Sequence, residues 1–82
     1  MIPRIKNIET LDDYILLVTF DNGARVLYDV KEDIDTLEDF RVLVSEYGLF
    51  KNFKLDSSRT CIYWTDRVDL PSDTILEYGR PL

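Results

Sequence analysis

The sequence contains no histidine. That one absence removes Ser-His-Asp triads, histidine-ligated zinc and an imidazole general base together. Cysteine is nearly as scarce, since Cys61 stands alone; no disulfide can close within the chain, which excludes a stapled secreted scaffold. Without an imidazole to deprotonate it, the thiol reads as a small apolar strand residue rather than a nucleophile. No apolar run approaches the roughly 20 residues of a membrane-spanning helix. Met1-Ile2-Pro3-Arg4 leads straight into strand-like sequence without a signal peptide, so a cytoplasmic location is expected and a membrane partner is not. Basic residues are outnumbered, 10 against 16 acidic, for a formal net charge of −6. Such a surface repels phosphate backbones, so no direct nucleic-acid partner is expected. Basic protein surfaces suit it better.

Glycine and proline occur three times each and only singly, so no linker, repeat or low-complexity stretch divides the chain. One domain over residues 1–82 is the expectation, with a core just large enough to fold alone. An apolar share of 45% against 32% charged places the chain among globular proteins rather than disordered tails.

Strands dominate the first third. Arg4 to Thr10 reads as a first strand, Leu11-Asp12-Asp13 as a turn, and Tyr14 to Phe20 as a strongly β-prone second strand. Asp21-Asn22-Gly23 then leads into a third strand, Ala24 to Val30. The register of this hairpin follows from the rule that directly opposed residues share a face. A two-residue Asn22-Gly23 turn would oppose Leu16 to Asp29 and Phe20 to Arg25, mixing charge into the apolar face. A three-residue loop closed by Gly23 in a left-handed bulge opposes Phe20 to Ala24, Val18 to Val26 and Leu16 to Tyr28, and every pair is apolar. The other face holds Ile15, Leu17, Thr19, Arg25, Leu27 and Asp29. Half apolar, it calls for cover by another element or a second chain.

After a polar loop, Leu37, Phe40, Leu43, Val44 and Tyr47 recur at helical spacing, which predicts one main helix. Asp35 or Thr36 would cap it, Glu38 and Asp39 would favour its positive end, and Gly48 would supply a left-handed stop. Leu49-Phe50 should tuck into the core. Two strands follow, Lys51 to Leu55 and Thr60 to Trp64, around a turn at Asp56 to Arg59. Pro71 and Ser72 open a short C-terminal helix with Ile75, Leu76 and Tyr78 inward, ended by Gly79. The predicted class is α+β, in the order strand-strand-strand-helix-strand-strand-helix. A small antiparallel sheet is covered on one face by the Leu37–Tyr47 helix.

Two carboxylate groups are candidate sites. Asp29, Glu32, Asp33, Asp35, Glu38 and Asp39 crowd one short run with a single lysine, Lys31. The bland reading is a solvated loop leading into a helix whose first turn favours acidic side chains. The functional one is a patch that steers a basic protein partner, with self-association through an exposed strand edge as the other option. A calcium site fits poorly, because the spacing lacks the central glycine and terminal glutamate of an EF-hand loop. Asp66, Asp69 and Asp73 form the second group; paired carboxylates can divide acid and base roles or hold magnesium, which makes a small carboxylate or metal-assisted enzyme the alternative function. The structural reading has Asp69 or Ser72 capping the last helix and Asp66 stabilising a turn beside Arg67 or Arg59. Trp64, beside Ile62 and Tyr63, reads as a core anchor before a binding platform. No residue set calls for a cofactor, and the favoured function is a non-catalytic acidic interaction module.

Tyr14, Leu16 and Phe20 ahead of Asn22-Gly23, then Tyr28-Asp29-Val30, Leu49-Phe50, and Trp64 followed by Asp66, Asp69 and Leu70-Pro71 form an ordered pattern over nearly the whole chain. It resembles a bacterial family known only as domain of unknown function twenty-four forty-two. Members often carry glycine after the first aspartate of the tryptophan segment, where this chain has Arg67. The resemblance implies no activity, substrate or catalytic residue. It does imply a small cytosolic bacterial protein, and some members are encoded beside another small protein in an arrangement similar to toxin and antitoxin pairs.

Overall fold

The computed structural model describes residues 2–82. Three strands open the chain: β1 (Ile5–Leu11), β2 (Ile15–Phe20) and β3 (Arg25–Asp29). A helix α1 (Lys31–Thr36), a 3₁₀ turn (Glu38–Arg41) and a one-turn helix α2 (Val42–Ser45) cross to β4 (Lys54–Leu55), β5 (Cys61–Thr65) and β6 (Val68–Pro71). Helix α3 (Ser72–Tyr78) and β7 (Arg80–Pro81) complete an α+β fold. The strands form two antiparallel sheets, β1-β2-β3-β7 and β4-β5-β6, rather than one.

The β2–β3 register is the predicted one. Leu16 opposes Tyr28, Val18 opposes Val26, and the Phe20 amide donates to the Ala24 carbonyl at 2.8 Å. Gly23 closes the loop at φ +89°, the left-handed conformation its place in the bulge demands. The β1–β2 connection is tighter than its sequence suggests. Leu11 pairs with Ile15, and the intervening loop turns with Asp13 at φ 65° and Tyr14 at φ 59°. A left-handed tyrosine is strained by about 1–2 kcal/mol, and tertiary contacts hold it. Its carbonyl accepts the Val30 amide at 3.0 Å, its ring meets Phe50 edge-on at 5.1 Å, and Lys31 Nζ donates to the Asp13 carbonyl at 2.6 Å.

The predicted Leu37–Tyr47 helix is shorter and mixed: the 3₁₀ turn Glu38–Arg41 passes directly into α2 through helical Arg41 and Val42. Leu37 sits extended, at φ −114° and ψ 113°, between α1 and the 3₁₀ turn, and Glu46 is extended after α2. Geometry supplies the reason. Ile34 and Phe40 both pack into the core, yet six residues along one continuous helix would lie about 120° apart around its axis. The break at Leu37 lets both point inward. Leu37, Val44 and Tyr47, three of the five residues of the expected stripe, are exposed while Phe40 and Leu43 are buried. Neither Asp35 nor Thr36 caps a helix; the Thr36 hydroxyl instead donates back to the Glu32 carbonyl. Gly48 does adopt the left-handed conformation, at φ +79°, and returns Leu49 and Phe50 to the core.

The second sheet is shorter at its start and longer at its end than expected. Its β4 strand covers only Lys54 and Leu55, while Val68-Asp69-Leu70-Pro71 forms a strand of its own, with Val68 and Leu70 buried and Asp69 exposed. The core draws on both sheets. Phe20, Val18, Leu16 and Val26 of the first meet Ile62, Trp64, Val68 and Leu70 of the second, with Ile75 of α3 between. Trp64 is an anchor: buried, stacked on Phe50 at 6.0 Å, and donating its indole N–H to the Phe50 carbonyl at 2.9 Å. In α3, Ile75 is buried as predicted, but Leu76 and Tyr78 point outward. Gly79 ends the helix by proximity, because a Cβ there would overlap Val26 Cγ1 and come within 2.5 Å of the Ile75 carbonyl.

Candidate interaction surfaces

The acidic run lies on β3's end, α1 and the 3₁₀ turn, which follow one another without a long helix to order them. Its six carboxylates divide into two kinds. Asp33 accepts the Tyr28 hydroxyl at 2.6 Å, and Asp29 accepts the Lys31 amide at 2.9 Å and pairs with Lys31 Nζ at 3.1 Å. Burial and then the Asp33 carboxylate push the Tyr28 phenol well above its ordinary value, so the donor stays protonated. Glu32, Asp35, Glu38 and Asp39 are exposed and make no ion pair among the described residues. Exposed Leu37 sits in their midst. The arrangement presents negative charge around an apolar side chain.

The second carboxylate group is dispersed. Asp66 occupies the two-residue turn between β5 and β6, Asp69 faces outward from β6, and Asp73 lies on α3, where it accepts the Thr74 amide at 2.9 Å. Among the described residues no three Cys, Asp or Glu side chains come together as a metal-binding group. The expected helix cap is not made either. Ser72 is buried and its hydroxyl donates across the fold to the Pro3 carbonyl at 2.6 Å, tying α3 to the approach to β1.

Arg59 is not beside Asp66. In a left-handed turn at φ 60°, it reaches the β2–β3 loop and makes a two-pronged ion pair with Asp21, both bonds at 2.8 Å, while its backbone carbonyl accepts the Ile5 amide at 2.7 Å. Side chain and backbone thus clamp the two sheets together at this end. The Asp56 carboxylate organises the same turn by accepting the Ser58 hydroxyl and the Thr60 and Cys61 amides. Hydrogen bonding holds both Asp21 and Asp56 below the usual carboxylate range, with Arg59 the main cause for the first and Ser58 for the second. For Cys61 the direction is opposite. Burial, then Asp69 and Asp56, push its thiol up, and Sγ lies 3.6 Å from the Ile62 carbonyl.

The ordered pattern of hairpin, helical crossing, Trp64 strand and Pro71 turn is thereby placed on one framework. The family model described as Protein of unknown function (DUF2442) matches residues 5–81. The chain belongs to this family. No curated protein and no solved structure matches it. The DUF2442 match runs from the first residue of β1 into β7, so both sheets and the acidic crossing fall inside it. No helix among the described residues is long and apolar enough to cross a membrane.

Surfaces other than the acidic run are also part of this DUF2442 chain. A groove of about 490 Å³ lies between the strained Asp13-Tyr14 turn and the segment from Leu43 to Lys51, edged by Asp12, Glu46 and fully exposed Tyr47. A second depression runs from Ile15 and Leu27 to Tyr78 and Arg80 on the outer face of the four-stranded sheet. That face was visible in the hairpin pattern as a half-apolar set. Its continuation onto β7 and Tyr78 was not, because a two-residue strand after a glycine carries no periodicity.

Proposed function

We propose that residues 1–82 act as one non-catalytic, cytoplasmic interaction domain whose acidic segment receives a basic protein partner. The observation behind this reading is the outward display of Glu32, Asp35, Glu38 and Asp39 around exposed Leu37, none of the four making an ion pair among the described residues. Uncompensated charge of one sign steers encounter with the opposite sign, and the apolar side chain within it supplies the desolvated contact that charge alone does not. The family resemblance adds a role like that of an antitoxin, with the partner a small protein encoded beside this one. Carboxylate chemistry by Asp66, Asp69 and Asp73 has no comparable observation behind it, since the three diverge.

Coexpression of the tagged chain with the product of its genomic neighbour tests the reading. The neighbour should be retained at low salt and released at high salt, and a Glu32→Lys/Asp35→Lys/Glu38→Lys/Asp39→Lys variant with an unchanged circular dichroism spectrum should lose it. Equal retention by that variant, or no retention by the parent chain, refutes the assignment.

A further inference from the structure

The outer face of the four-stranded sheet has a charge order that is its own complement. Opposed residues of antiparallel strands share a face, so the observed registers place Glu9, Leu17, Leu27 and Arg80 in one row across β1, β2, β3 and β7. The row is acidic at one edge, apolar in the middle and basic at the other edge. In the next row Leu11, Ile15 and Asp29 stand opposed, Asp29 being paired with Lys31, and Tyr78 borders the same depression as Ile15, Leu27 and Asp29. Ile15, Leu17 and Leu27 are half-buried, yet they neither belong to the core cluster nor pack against it. Leu11 is 42% and Tyr78 71% exposed.

We infer that this face binds a second copy of the chain, sheet against sheet, about a two-fold axis parallel to the strands and passing between β2 and β3. That axis lays the row of one copy over the reversed row of the other. Glu9 then faces Arg80 of the second copy at both ends and Leu17 faces Leu27 in the centre, while in the next row Ile15 lies over Asp29, whose charge Lys31 pairs within its own copy. Any partner with another charge order would leave Glu9 or Arg80 facing a like charge or none, whereas an identical copy satisfies both. With strands about 4.8 Å apart and alternate residues roughly 6.8 Å apart, four strands by three rows give a footprint near ~400 Å² per copy. This lies at the small end of specific interfaces, so the dimer is weak and depends on concentration. The inference rests on the reading of the chain as an interaction module and adds to it a second surface, which borders the acidic segment at Asp29 and Glu32.

Sedimentation velocity over a range from micromolar to millimolar protein decides the matter. The parent chain should shift from monomer toward dimer as concentration rises. Glu9→Arg and Arg80→Glu, each of which sets like charges against one another twice, should each weaken the dimer at least tenfold, and the Glu9→Arg/Arg80→Glu double variant should restore it. Both sites are exposed, so the variants should fold, and circular dichroism verifies that they do. A monomer throughout overturns the inference. A dimer that withstands Arg80→Glu also overturns it. Retention of the neighbouring protein by a purely monomeric chain would sink the dimer while leaving the proposed function standing; a monomer that retains nothing sinks both.

Discussion

Replacing Trp64 with phenylalanine separates a core anchor from a binding platform. The indole N–H reaches the Phe50 carbonyl at 2.9 Å inside the core, and the ring stacks on Phe50 with planes 14° apart. Phenylalanine keeps an aromatic face but has no donor, so the carbonyl loses its partner, which costs about 1–3 kcal/mol for a buried group. The smaller ring also leaves roughly 40 Å³ unfilled, adding about 1 kcal/mol at ~24 cal/mol per Å³. The expected loss is therefore about 2–4 kcal/mol, a large share of the ~4–12 kcal/mol that stabilises a chain of this size. Thermal unfolding followed by far-ultraviolet circular dichroism should show a midpoint lower by roughly 8 °C or more. In the parent protein the sole tryptophan supplies a second probe, and its emission should shift to longer wavelength in step with the loss of secondary structure. A Trp64→Phe variant within about 1 kcal/mol of the parent would refute the anchor argument. Loss of partner retention at unchanged stability would assign the ring to binding instead.

Two glycines should fail for different reasons. Gly23→Ala meets no atom within 4 Å, so its cost is conformational, about 1 kcal/mol for a residue held at φ +89°; Gly79→Ala has an ordinary φ but drives a methyl into Val26 and should cost about 1–3 kcal/mol in the same urea titration. Acid unfolding should report Asp21 and Asp56. Their folded pKa values lie below the unfolded ones, so their contribution is fully present above the ordinary carboxylate value near ~4 and is lost as pH falls through the folded values. Asp21→Asn and Asp56→Asn should each flatten the decline of the melting temperature below that pH, and an unchanged profile would contradict the hydrogen-bond assignment. Cys61, its thiol pushed up by burial, should react with a disulfide reagent at neutral pH more slowly in the folded protein than in urea; equal rates would show an open thiol.

The sequence was legible where a single period and a single burial rule govern a segment. From Leu16 to Tyr28 the alternation of apolar and polar residues admits one good register, and a glycine stands where the loop needs a left-handed residue; the structure has that register. From Ile34 to Tyr47 two demands conflict. Local spacing favours one helix with Leu37, Val44 and Tyr47 on its inner face, while the core needs Ile34 as well as Phe40 and Leu43. For helices this short the local preference is weak, and tertiary burial decides. Asp66, Asp69 and Asp73 do not come together, for a related reason. Proximity in sequence grouped Asp66, Asp69 and Asp73, but a two-residue turn, a strand and a helix start point them three ways. Arg59, paired with Asp21 from 38 residues away, left no trace in local spacing.

The same conflict bears on where the proposed interaction surface lies. A continuous helix would have placed its apolar stripe inward and left an ordinary solvated acidic face. Leu37 instead stands extended before the 3₁₀ turn, exposed among Glu32, Asp35, Glu38 and Asp39, while Val44 borders a depression with Asp35 and Arg41, and Tyr47 a groove with Asp12 and Glu46. Apolar side chains exposed singly need no explanation, but Leu37 among unpaired carboxylates gives the proposed surface both a steering charge and something to bury. The outer face of the first sheet arises independently, from strand alternation and not from the helix break. Replacing the exposed Leu37, as in Leu37→Ala, should therefore change the acidic surface and leave the Glu9-to-Arg80 row intact, making the two surfaces separable in a single set of variants.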